Sequence, residues 1–131
     1  MSKYFNFKFK IYYEDTDSGG VVYYANYLKY LERARSEAIY SLGLTNIKLQ
    51  KDYGALIIVK SCNIEYKIPA KFEDELKIIS SILSKTKTSF TMLQIIKKNE
   101  EIVSEAKVQL VTVNKVGKPI KIPEILNNLL N

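Results

Sequence analysis

Tyr12-Tyr13-Glu14-Asp15-Thr16-Asp17-Ser18-Gly19-Gly20-Val21-Val22-Tyr23-Tyr24-Ala25-Asn26-Tyr27 lies where one periodicity ends and another begins. Upstream, Phe5, Phe7, Phe9, Ile11 and Tyr13 alternate with Asn6, Lys8, Lys10 and Tyr12. A period of two over that length is a half-buried strand. Downstream, Tyr27, Leu31, Ala34, Ala38 and Leu42 recur at intervals of three and four, and Leu28, Tyr30 and Ile39 widen the stripe. Lys29, Glu32, Arg33, Ser36 and Glu37 take the other faces. The spacing predicts an amphipathic helix over residues 26–42. Asn26 is read as its N-cap, and Gly43 followed by Leu44 as a left-handed stop with a hydrophobic contact. Between strand and helix runs a polar, glycine-bearing loop.

The rest of the chain is strand-like. Residues 55–66, 76–83, 90–97 and 102–110 carry strand patterns. The links near 84–89 and 99–101 are too short for a parallel crossover, so the last three strands form an antiparallel meander. Lys67-Ile68-Pro69-Ala70-Lys71 reads as a connection, because proline is badly placed in a central strand. Gly117, Pro119 and Pro123 end the sheet, and residues 124–130 are expected to form a short C-terminal helix. The order is strand, helix and four antiparallel strands, an α+β chain in which one helix covers a five-stranded sheet. Two arrangements satisfy it: a sheet curled around a central helix and a cystatin-like wrap. The mostly apolar third strand points to a sheet face or edge that meets another subunit.

Composition removes several chemistries. The 131 residues contain one cysteine and no histidine. No Ser-His-Asp or Cys-His arrangement is possible, nor any zinc site of the histidine-containing kinds. Cys62 alone forms no disulfide within the chain and is read as a buried small hydrophobe. A lone cysteine without a secretory signal points to the cytoplasm. The net charge is +6, but the lysines are scattered and never interleave with aromatics as nucleic-acid modules require. No nucleic-acid partner is expected. No apolar run approaches the ~20 residues that span a bilayer. Residues 1–131 are read as one domain.

The opening stretch is also the one that could carry chemistry. Six of the ten tyrosines, two of the four aspartates and two of the five glycines lie between Tyr12 and Tyr30. A strand end, a loop and a helix start meet there, where backbone N–H groups are unpaired and the helix dipole is positive. A carboxylate beside such donors can act as base or nucleophile while amides hold an oxyanion. The same residues can equally cap a helix and turn a chain. Spacing leaves both readings open.

Residues 12–27, continuing to Glu32-Arg33-Ala34-Arg35, resemble the signature of the 4-hydroxybenzoyl-CoA thioesterase family, in particular its YbgC-like acyl-CoA thioesterase branch. Residues 66–74 resemble the family's link of proline, alanine and a later aspartate. The resemblance implies a hotdog fold, with the sheet wrapped around the central helix, assembled as dimers and commonly as homotetramers of two dimers. It implies hydrolysis of acyl-CoA, with Asp17 as general base or nucleophile. The backbone N–H of Tyr24 would be the oxyanion donor, and Gly20 would shape the turn. Val59, Lys60 and Ser61 would border the pantetheine channel, completed by a partner chain. No metal or redox cofactor is implied, since coenzyme A belongs to the substrate. An acyl-carrier protein is an alternative carrier, and a non-catalytic acyl-CoA-binding or envelope-associated scaffold is an alternative function. Arg33 and Arg35 are read as ion-pairing residues of the helix. One departure stands out: the YbgC-like branch usually has histidine where this chain has Tyr24. With no imidazole present, Asp17 is the only base or nucleophile available in the loop.

Overall fold

The alternating N-terminal segment forms β1 (Phe5–Lys10), with Phe5, Phe7 and Phe9 packed on the core. This computed structural model describes residues 3–130. Ile11 is buried, but the alternation does not reach Tyr13. The chain turns through a single 3₁₀ turn, Tyr13–Asp15, which leaves Tyr13 exposed with its ring edge-on to Phe72.

The helix α1 spans Asn26–Tyr40 and buries Tyr27, Tyr30, Leu31, Ala34, Ala38 and Ile39 of the expected stripe, while Leu28 is exposed and Leu42 lies half-buried beyond the helix end. Its start differs from the expected cap. The backbone winds already at residues 23–25: the Asn26 N–H donates to the Tyr23 carbonyl and Tyr27 N–H to that of Tyr24. Ala25, with φ −66° and ψ −22°, occupies the capping position. Asn26 is therefore inside the helix, and its amide is free for another bond. The C-terminal stop matches expectation, with Gly43 at φ +80° and Leu44 buried.

A second helix, α2 (Asn46–Tyr53), was not expected. Thr45 caps it by accepting the Lys48 N–H at 3.0 Å, and Gly54 ends it at φ +62°. Leu49 is its only buried residue, so it carries almost no apolar stripe to read. The C-terminal segment forms a 3₁₀ turn, Glu124–Leu126, and a final helical turn, α3 (Asn127–Leu130).

The remaining strands are β2 (Leu56–Tyr66), β3 (Glu75–Lys85), β4 (Ser89–Lys98) and β5 (Glu101–Val113). The sheet order is β1-β3-β4-β5-β2, every pair antiparallel. The expected meander β3-β4-β5 is its centre. β3 lies inside the sheet between β1 and β4, with Leu76 and Ile78 buried and Ile79 half-buried. β1 and β2 are the edges.

In β2 the pairing with β5 slips between Val59 and Ser61, which makes Lys60 a bulge. The extra residue changes the phase of the alternation. Ile57 and Val59 face α1 before it, and Cys62, Ile64 and Tyr66 face the same way after it. Cys62 is exposed rather than buried, because it lies on an edge strand with no neighbour on its open side.

Gln94, fully buried on β4, ties helix to sheet. Its Nε2 donates to the Leu31 carbonyl at 3.1 Å and to Ser80 Oγ at 3.0 Å, while its Oε1 accepts from Arg35 Nη1 at 3.0 Å. A buried amide satisfied at both ends costs little and fixes the helix against the strands. Arg35 forms no ion pair among the described residues.

Candidate active site

The loop after β1 closes on itself. Thr16 and Val22 pair as a bridge, Asp17 N–H donates to the Val21 carbonyl, and Gly20 N–H donates to the Asp17 carbonyl at 3.0 Å. Asp17 through Gly20 form a tight turn, and Gly20 leaves it at φ +79°, a backbone conformation that favours glycine. Asp17 Oδ1 accepts the Gly19 N–H at 2.8 Å. The Asp17 carboxylate stands at the exposed tip of this turn, one oxygen held by a backbone amide and the other without a partner among the described residues.

The helix start is attached to this loop at one atom. The Asp15 carbonyl accepts the Tyr23 N–H at 3.1 Å and Asn26 Nδ2 at 2.9 Å. The turn before Asp17 and the turn before α1 are thus clamped together. Among the described residues, no acceptor takes the Tyr24 N–H. From the other side, the Tyr66 hydroxyl donates to the Tyr24 carbonyl at 3.3 Å. The Tyr66 ring stands edge-on to Tyr24 and Tyr27, with centroids 6.4 and 5.0 Å away.

The link after β2 braces the same region. The Ala70 carbonyl accepts the Val22 N–H at 2.8 Å, and the Ala70 N–H donates to the Tyr27 hydroxyl at 3.3 Å. Val22, Tyr24, Tyr27, Tyr66, Ile68 and Pro69 line a cleft of about 260 Å³ beside the helix start. Burial raises the pKa of Tyr27, and Asp74 adds to this while the Ala70 hydrogen bond opposes it. Burial also raises Tyr66, with Cys62, Tyr27 and Tyr24 adding to it. Both phenols are neutral at physiological pH and serve as hydrogen-bonding groups. Among the described residues, the buried Tyr30 hydroxyl has no hydrogen bond of good geometry. Burial and the facing Asp15 hold its pKa far above the usual phenol range.

Of the residues expected at the site, Asp17 and Gly20 share one turn, and Tyr24 is joined to it through Asp15. Val59, Lys60 and Ser61 lie apart on the edge strand β2. Among the described residues, no hydrogen bond or ion pair joins the two groups. Val59 lines a separate cavity beneath α1, Lys60 is the bulge, and Ser61 follows it. Three positioning residues were missed in the sequence: Asn26, Tyr66 and Gln94. Their partners lie 11, 42 and up to 63 residues away, beyond any local spacing rule. Among the described residues no helix is long and apolar enough to cross a membrane.

A profile of the thioesterase-like superfamily matches residues 12–130. The chain belongs to this superfamily. Among its relatives is the acyl-CoA thioesterase YbgC of Haemophilus influenzae, 35% identical over 122 residues that cover 92% of this chain and 89% of the relative. Acyl-CoA thioesterase YbgC of Helicobacter pylori is also 35% identical, covering 93% of this chain and 96% of the relative. The crystal structure of a probable thioesterase from Bartonella henselae superposes with a TM-score of 0.88 at 32% identity, covering 92% of this chain and 100% of that one. These matches place the chain with the YbgC-like thioesterases and settle its fold as the hotdog arrangement. Superfamily membership also closes the choice between a curled sheet and a cystatin-like wrap.

Proposed function

We propose that this chain hydrolyses acyl-CoA thioesters, with Asp17 as base or nucleophile and the Tyr24 N–H as oxyanion donor. The observation that carries the assignment is the joint at Asp15. It holds an exposed carboxylate and an unpaired backbone donor on adjacent turns. Acyl transfer needs that combination: one group to deliver an oxygen nucleophile and one to receive the negative charge.

The thioester carbonyl oxygen docks against the Tyr24 N–H. In one route Asp17 takes a proton from water as the water oxygen attacks the carbonyl carbon. The tetrahedral oxyanion collapses, the C–S bond breaks, and the coenzyme A sulfur leaves and takes up the proton. In the other route Asp17 attacks directly, the C–S bond breaks to release the coenzyme A thiolate, and water then cleaves the mixed anhydride to free acid and the Asp17 carboxylate, its proton going to the thiolate. Both use the same two groups. An amide already unpaired in the free protein needs no reorganisation as charge develops, and one such donor is worth ~3 kcal/mol. Because the donor is a backbone group, tyrosine in place of the branch's usual histidine leaves it unchanged.

Val59, Lys60 and Ser61 serve as the wall of the pantetheine channel. Their separation from Asp17 within one chain fits a channel closed by a second copy, in a dimer or a tetramer of two dimers. The reaction requires no cofactor and is placed in the cytoplasm. Competition between acyl-CoA and acyl-carrier protein distinguishes the carriers.

Asp17→Asn tests the assignment. An asparagine Oδ1 accepts the Gly19 N–H as the carboxylate does, so the fold should be retained. Turnover of acyl-CoA should fall at least ~100-fold. Hydrolysis at the parent rate by the folded variant overturns the assignment, and a scaffold function then takes its place.

A further inference from the structure

The sheet face turned away from the core carries three lysines side by side. Lys8 on β1 stands opposite Lys77 on β3, and Lys77 stands opposite Lys97 on β4. Their chain neighbours Phe7, Ile78 and Ile96 pack on the core, which sets the lysines on the other face. Adjacent strands lie about 4.8 Å apart, so the three attachment points span roughly 10 Å. None of the three forms an ion pair among the described residues. Lys8 is exposed, whereas Lys77 and Lys97 are half-buried. Like charges directly opposite each other on a sheet are destabilising, and partial burial reduces the water that screens them.

Folding alone does not account for this row. Lysine on an edge strand discourages pairing with a further chain, which suits Lys8 on β1. Lys77 and Lys97 are on interior strands, where that need does not arise. Nearby lysines do have counterions: Lys10 pairs with Glu75 at 3.7 Å, and Lys98 with Asp74 at 2.8 Å. The row lies in a groove of about 580 Å³, to which the turn between β4 and β5 adds Asn99 and Glu100. Four lysines and two glutamates line this groove, so its charge is net positive.

We propose that this groove binds a chain of linked phosphates, as in inorganic tripolyphosphate or a nucleoside triphosphate. Successive phosphates set several negative charges in a line, which a line of ammonium groups matches. A lone carboxylate or phosphate neutralises only part of the row. Lysine suits such a ligand, because it acts as a point charge and needs no fixed fork geometry. Glu100 opposes the anion from the side of the groove and limits its affinity. The site is separate from the pantetheine channel assigned above. That channel borders β2, at the far edge of the order β1-β3-β4-β5-β2. The phosphate site therefore stands or falls independently of the thioesterase assignment.

The test is calorimetric titration of sodium tripolyphosphate into the full chain, without divalent cations. It should bind one site per chain, ~10-fold or more tighter than inorganic phosphate, and weaken as salt is raised. ATP should compete with it. Equal affinity assigns the site to the phosphate chain alone, and tighter binding of ATP assigns it to a nucleotide. Lys77→Met keeps the aliphatic stem and removes the charge. It should weaken tripolyphosphate by ~10-fold or more. It should also raise the melting temperature of the free protein by about 1–4 °C at low salt, because a repulsion is removed. Lys8→Gln changes an exposed position, leaves the fold intact and should weaken binding as well. Glu100→Gln should tighten binding by ~2- to 5-fold. Free coenzyme A, which carries phosphates of its own, is the control. Its affinity should be the same in the parent and in Lys77→Met. Tripolyphosphate binding no tighter than that of inorganic phosphate overturns the proposal. So does an affinity that survives both lysine substitutions, or a coenzyme A affinity that falls in step with it.

Discussion

Replacing Asn26 with leucine cuts one of the two bonds that join the Asp17 turn to the helix start. The lost bond is 2.9 Å long and partly buried. The Asp15 carbonyl keeps the Tyr23 N–H, so no acceptor is stranded. The cost is that of one ordinary hydrogen bond, about 1 kcal/mol. Leucine is the better helix former by a few tenths of a kcal/mol, which offsets part of it. The melting temperature should therefore fall by no more than about 4 °C. Activity should suffer far more. A displacement of about 1 Å between reacting groups costs up to ~100-fold, so kcat should drop by ~10- to 100-fold. KM should stay within about threefold, because the residues assigned to the substrate channel are on β2, away from the clamp. Release of the coenzyme A thiol is followed with a chromogenic disulfide, with a blank that subtracts the one-equivalent reaction of exposed Cys62. A variant that melts within a few degrees of the parent and keeps its full kcat refutes the clamp as a positioning device.

Other substitutions probe separate parts of the structure. Tyr24→Ala keeps the backbone donor and should retain activity within ~10-fold, whereas Tyr24→Pro removes it and should lose ~100-fold or more; equal losses would mean that the phenol matters rather than the amide. Tyr30→Phe deletes a buried hydroxyl that has no hydrogen bond of good geometry among the described residues, and it should raise the urea midpoint, by up to about 1 kcal/mol of stability. A lower midpoint would mean that the hydroxyl has a partner in solution. Cys62 is exposed as a residue, but partial desolvation of its thiol pushes the pKa up while Arg35 pulls it down. A raised pKa leaves less thiolate at any given pH, so alkylation by iodoacetamide should reach half its maximal rate above the pH of an unperturbed cysteine peptide. Arg35→Met should move that midpoint higher still, and a shift in the opposite direction would contradict the placement of Arg35 beside the thiol.

How much could be read from the residues depended on whether the deciding force was local. β1 and α1 were legible because burial imprints its period on neighbouring residues. The same holds for the β3-β4-β5 meander, whose links are too short for another topology. α2 was not legible, since a helix with Leu49 as its sole buried residue leaves no stripe, and its Thr45 cap and Gly54 stop were the only marks available. Asn26 looked like a cap because asparagine before an apolar stripe usually is one. Its amide instead reaches back to Asp15, a contact set by loop geometry. Cys62 was misplaced because residue type says nothing about which strand ends at the sheet edge. In the site, the types and order of Asp17, Gly20 and Tyr24 were legible. The bonds that orient them come from Asn26, Tyr66 and Ala70, and no spacing rule reaches those.

The Lys60 bulge sets how this protein can vary in length. A bulge works as a half-step in the chain, and everything C-terminal to it in β2 depends on that half-step. Losing one residue there would turn Cys62, Ile64 and Tyr66 outward together. Tyr66 would leave the Tyr24 carbonyl, and the thiol would leave Arg35, in one event. The helix start and the surroundings of Arg35 therefore share a single point of failure, although they sit at different heights along the helix. Residue identity along β2 can drift one position at a time, but its length cannot change by one on either side of Lys60 without a compensating change on the other.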